Sequence, residues 1–149
     1  MIGFIISVFK LFLSGVLGGV IGYERKQRTA VGFRMLILVA VGATAFALAS
    51  LHIGNISAAA DPGLIVAMTV VAVGVLGAAV IIADHDKRNA LRTTISIWSA
   101  GAVGILVGVG LIIESIILTG LVYYVLSYLP DIFEEEVLTQ NPDDAEDQE

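Results

Sequence analysis

Apolar residues in this chain arrive in long blocks and not in an amphipathic stripe. Ile2 to Gly22 is apolar but for Lys10, and Met35 to Ile53 and Leu64 to Ala83 are two further runs. The stretch from Thr94 to Leu129 is too long for one membrane helix and the right length for two, with Gly108-Val109-Gly110 as the turn. A hydrocarbon core of about 30 Å takes roughly 20 helical residues to cross. The pattern therefore predicts an all-α membrane protein, a bundle of about five transmembrane helices with spans near 2–22, 35–53, 64–83, 94–108 and 111–129. The first run is not read as a cleaved leader, because its cation sits mid-segment and it runs straight into Tyr23-Glu24-Arg25-Lys26.

Charge fixes the expected orientation. Arg25, Lys26, Arg28 and Arg34 follow the first span, and Lys87, Arg88 and Arg92 follow the third. The loop from Gly54 to Gly63 and the turn at Gly108 carry no Lys or Arg. Cations collect on the cytoplasmic side, so the N-terminus is expected outside and the C-terminus in the cytoplasm of a multi-pass plasma-membrane protein. Nine of the fourteen acids lie after Leu129, so the net charge of −6 describes residues 130–149 and not the body. That segment is expected to be a disordered acidic tail. Its charge would repel phosphate, which argues against nucleic-acid binding.

Composition narrows the chemistry further. The chain is 57% hydrophobic and 15% charged, with no cysteine. Disulfides and thiolate chemistry are excluded. No nucleophile stands beside a base, and no phosphate loop or metal spacing is present. The reading is a non-enzymatic protein without a cofactor.

Small residues recur at four-residue spacing: Gly15, Gly18, Gly19 and Gly22 in the first span, Gly74, Gly77 and Ala78 in the third (the 74/78 pair), and Ala100, Gly104 and Gly108 in the fourth. Such spacing lets helix backbones approach closely in lipid. Ordinary packing within the chain is the preferred reading; the alternative is a tight pore or the seam of a homo-oligomer. Lys10 lies roughly 13 Å into the first helix. A cation at that depth either pairs with an acid or reaches back toward the headgroups. Glu114, and after it Asp61, are the acids expected to meet it. Glu24 and Arg28 are an i,i+4 pair if the first helix continues, and otherwise a charge cluster that sets topology. Asp84-His85-Asp86 is either a cation site or a solvated loop, and His52 is an interfacial residue.

At Gly22-Tyr23-Glu24-Arg25-Lys26-Gln27-Arg28, followed by Gly32-Phe33-Arg34, the sequence resembles the MgtC/SapB family. That family has Gly-x-Glu-Arg-x-x-Arg after its first helix and Gly-Leu-Arg-Thr at the start of its second. A basic residue stands fourteen positions before the Glu, as Lys10 does here. Asp61-Pro62, Gly74-Val75-Leu76-Gly77-Ala78, Thr93-Thr94, Ser96-Ile97-Trp98 and Gly104 to Leu111 continue the likeness over residues 1–129. Leu64, Met68, Met35 and Arg92 depart from the family's usual Arg, Gln, Thr and Gly, which puts a polar site built on the third span in doubt. Many members continue into a soluble ACT-like domain, where this chain has its acidic tail.

The resemblance implies a regulator linked to magnesium homeostasis that acts through membrane partners, with the F-type ATP synthase as the implied partner. It also implies site residues in the cytoplasmic loop motif, namely Glu24, Arg25, Arg28, Arg34 and Arg92. The alternative is a transporter or channel component for Mg²⁺ or another cation. Mg²⁺ sheds water reluctantly and wants carboxylates on its path. Only Asp61 and Glu114 are acidic on the outer half of the spans, so transport would need an oligomer with rings of Glu114.

Overall fold

The computed structural model describes residues 2–23, 30–56, 61–83, 85 and 87–128. The acidic tail and the Glu24, Arg25 and Arg28 portion of the loop motif lie outside these. Five helices follow in order: α1 (Ile2–Tyr23), α2 (Ala30–Ile56), α3 (Pro62–Ala83), α4 (Lys87–Val109) and α5 (Ile112–Tyr128). The first four are long and apolar enough to cross a bilayer. The fifth has 17 residues, a length of roughly 25 Å.

Helices α2 and α4 extend beyond the apolar runs at their N-terminal ends. The expected spans began at Met35 and Thr94, whereas the helices begin at Ala30 and Lys87. Hydropathy counts only what lipid must solvate. A helix goes on for as long as its backbone bonds continue, and Arg, Lys and Asn do not interrupt them.

Two helix ends follow directly from their residues. Asp61 precedes α3, and its Oδ1 accepts the Gly63 N–H at 2.8 Å, with Pro62 at the first helical position. The carboxylate satisfies an orphan donor, and proline has none to lose there. Asp61-Pro62 is thus a helix start, which accounts for Asp61 without an ion. At the end of α4, Gly110 takes φ of 108°, a left-handed value that a side chain would oppose. The Leu111 N–H returns to Leu106 O at 2.9 Å, and the Gly110 N–H reaches Val107 O at 3.2 Å. Such a glycine cap reverses the chain in two residues.

Helix α4 is the axis of the bundle. It packs against all four other helices, most extensively against α2, while α3 rests on α2 and α4, and α5 on α4 and α1. The core joins Leu17 and Ile21 of α1, Leu36 and Ala40 of α2, Val73 of α3, and Ile97, Ala100, Val103 and Val107 of α4.

Candidate functional site

Many hydroxyls of this bundle donate back to their own helix, as Ser14, Thr69, Thr93, Ser96, Ser115 and Thr119 do, while other polar side chains join helices. Among the described residues, Thr44, Thr94, Ser50 and Lys10 each reach from one helix to another and donate to a backbone carbonyl. Thr44 on α2 shares its hydroxyl proton between Ala40 O, at 3.0 Å in its own helix, and Gly104 O of α4, at 2.8 Å. Thr94 on α4 donates to Gly77 O of α3 at 2.9 Å. Ser50 on α2 donates to the Pro62 carbonyl at the start of α3. Lys10 on α1 donates from Nζ to Gly108 O of α4 at 2.9 Å. Three of the four acceptors are glycine carbonyls. A residue without a side chain leaves its carbonyl open from the side, so a donor on the neighbouring helix can reach it. Among the described residues, no buried side-chain polar atom lacks a partner.

Lys10 has a partner that pairing by charge does not suggest, the Gly108 carbonyl at the end of α4. The glycine cap of α4 uses the carbonyls of Leu106 and Val107, which leaves Gly108 O at the exposed end of the helix ladder. That end carries the negative pole of the helix dipole, and a cation is favoured there. Lys10 thus closes the end of the central helix from a neighbouring one. Glu114 lies exposed in the first turn of α5. An acid there faces the positive pole of its own helix, so it has a local reason for its position.

The small residues separate into two groups. A methyl group added at Gly18 would meet Ala40 Cβ at 2.7 Å and Leu36 O at 2.9 Å. One at Gly108 would lie 2.5 Å from Ala47 Cβ, and one at Gly77 would lie 2.6 Å from the Thr94 methyl. At Gly104 it would overlap the Ala40 carbonyl, and at Gly22 it would press on Phe33 at 3.2 Å. Gly15 has Val41 at 3.3 Å, Gly19 makes only ordinary contact with Ile37, and Gly74 faces open space. The α1–α2–α4 seam is thus set by backbone approach, and Gly74 takes no part in packing within the chain.

Of the loop motif, Arg34 is exposed near the start of α2, and Arg92 is half-buried on α4 with its carbonyl accepting from Ser96 at 2.8 Å. His52 and His85 are exposed. Asp84 and Asp86 lie outside the described residues. Among the described residues, no group of three His, Cys, Asp or Glu could hold a metal ion. Thr44 and Ser50 are not singled out by any sequence motif, and Thr94 enters only through the Thr93-Thr94 of the family likeness. Their shared signal is that a hydroxyl inside an apolar run needs a partner, and a helix alone can supply one through its own i−4 carbonyl.

The model of the MgtC family matches residues 11–134. Protein MgtC of Brucella abortus (strain 2308) is 37% identical over 105 residues, which are 70% of this chain and 43% of that protein. Protein MgtC of Salmonella typhimurium (strain LT2) is 36% identical over 104 residues, 69% of this chain and 43% of that protein. The chain thus spans less than half the length of the curated relatives it matches. No solved structure matches it.

Proposed function

The chain belongs to the MgtC family, and from that premise we propose that it is a non-enzymatic plasma-membrane regulator, linked to magnesium homeostasis, that works by docking against a membrane partner. The observation that carries this reading is the closed seam. At Gly18, Gly104 and Gly108 the backbones of α1, α2 and α4 approach so nearly that a single added methyl would collide with the neighbouring helix. The axis of the bundle is filled, and its polar side chains are engaged on carbonyls. A single copy with that interior has helix faces to offer a partner, and among the described residues its buried polar side chains are engaged and line no lane for a hydrated ion. The membrane sector of an F-type ATP synthase is the partner that the family resemblance suggests.

The proposal includes the orientation. Cations flanking the first and third spans favour an external N-terminus and a cytoplasmic C-terminus. Helix α5 then crosses as well, its shortfall taken up by local thinning of the bilayer. Two experiments test the function. Purified protein in liposomes should carry no Mg²⁺ above empty vesicles, and crosslinking in native membranes should recover a membrane protein complex. Saturable Mg²⁺ uptake would overturn the regulator reading in favour of transport.

A further inference from the structure

A groove of about 700 Å³ opens between α2 and α3 toward the lipid. Leu38, Val39, Gly42 and Phe46 form its α2 wall, and Ala72 and Leu76 stand across from them on α3. Gly42 faces open space, so the groove owes part of its width to a missing side chain. Thr69 lines it too, but its hydroxyl is taken by Ile65 O at 2.8 Å, which leaves the wall apolar. Arg34 lies at one end and is exposed. A second groove, beside α1, is lined by Phe12, Gly19, Phe33, Val41 and Tyr123 and has no cation among its lining residues.

We propose that the α2–α3 groove binds one anionic phospholipid, its acyl chain laid along Gly42 and its phosphate held by the Arg34 guanidinium. Length supports this occupant. Arg34 and Phe46 are twelve helical steps apart, roughly 18 Å, close to one leaflet of a core about 30 Å thick. Charge supports it as well. Guanidinium matches phosphate oxygens in a bidentate fork, and basic pockets between membrane helices recognise anionic headgroups. A chain-length apolar slot with a cation at its end fits a phosphate attached to an acyl chain. It does not suit a free anion, which has no use for the slot, or a neutral helix, which has no use for the cation. The phosphate contact does not depend on which side of the membrane Arg34 faces, and the inference is independent of the regulator reading.

The test is native mass spectrometry of the full chain, released from micelles containing equal amounts of phosphatidylglycerol and phosphatidylethanolamine. Wild type should retain phosphatidylglycerol with a preference of roughly fivefold, the size of one basic contact at a membrane surface. Arg34→Gln should abolish the preference. Gly42→Leu fills the groove and improves the helix, so it should lower lipid retention without unfolding the protein. Gly74→Leu, on an open face outside the groove, should retain lipid like wild type. The proposal falls if Arg34→Gln keeps the preference, or if Gly74→Leu loses as much lipid as Gly42→Leu. It falls equally if inorganic phosphate alone competes the lipid away, or if the species lost in Gly42→Leu is a second copy of the chain.

Discussion

Helices α3 and α4 run side by side and are built on opposite rules. Of the most apolar eighteen-residue stretch in each, 17% is buried in α3 and 44% in α4, yet α3 is the more apolar helix. Its buried positions are Thr69, Val73 and Gly77, a single stripe four residues apart. Helix α4 buries Ser96, Ile97, Ala100, Gly101, Val103, Gly104, Val107 and Gly108. In water the greasier helix would be the inner one. In lipid, apolar surface gains little by leaving the bilayer, so the inner place goes to the helix that allows closest approach and holds the polar contacts. Small residues cluster in α4 beside Ile97, Val103 and Val107, whereas α3 turns Leu64, Val71, Val75 and Ile82 outward.

The sharpest break of that comparison exchanges one methyl group between the two helices. Gly104→Ala on α4 forces a Cβ into the Ala40 carbonyl, and backbone cannot step aside as a side chain tip can. The expected loss is about 3 kcal/mol, the upper part of the usual range for overpacking. Gly74→Ala on α3 meets nothing and relieves a helical glycine, so it should stabilise by about 0.5–1 kcal/mol. Reversible unfolding in mixed micelles reads both, and the comparison stands on their opposite signs. Equal losses would mean that α3 is as enclosed as α4.

Next in size is the cap of α4 by Lys10. Lys10→Met removes a charged donor from Gly108 O and should cost about 1.5–3 kcal/mol, the worth of a charge-assisted bond. Amide exchange should quicken at Gly110 and Leu111, whose N–H groups close the same cap. Unchanged exchange there would leave Lys10 as a bystander.

Much of this arrangement was legible in the sequence. The runs at Ile2, Met35, Leu64 and Thr94 and the turn at Gly108-Val109-Gly110 gave the helices, because lipid imposes length and glycine permits φ of 108°. The partner of Lys10 was not legible. Pairing by charge pointed to Glu114, since an acid is visible as a letter and a free carbonyl is not. Which helix lay at the centre was hidden as well, because small residues at spacing four occur in the first, third and fourth spans alike. Gly74 and Gly104 read the same until each has neighbours.

Smaller effects test the hydroxyl contacts. Thr44→Val keeps the shape of the side chain and loses the bond from α2 to Gly104 O, and Thr94→Val loses the bond from α4 to Gly77 O. Interhelical hydrogen bonds in membranes average about 0.6 kcal/mol, and each substitution should cost about that much. The double substitution should cost the sum, since the two bonds share no partner. A loss several times larger would show that these hydroxyls set helix register as well as adhesion.

The smallest expected effect separates two accounts of one acid. If Glu114 neutralised Lys10 in a buried pair, removing either alone would cost about 3–5 kcal/mol, and removing both would restore much of it. The geometry argues otherwise. Lys10 is on the Gly108 carbonyl at 2.9 Å, and Glu114 is exposed in the first turn of α5. There the carboxylate interacts with its own helix dipole, a contribution of about 0.3–1 kcal/mol at an exposed site that salt screens further. Glu114→Gln should therefore lower stability by a few tenths of a kcal/mol. Combined with Lys10→Met, it should add to within about 0.5 kcal/mol, as unconnected sites do. Recovery of stability in the double variant would mean that the two charges meet in the membrane after all, and that the C-terminal end of α4 is held by an ion pair and not by a capped carbonyl.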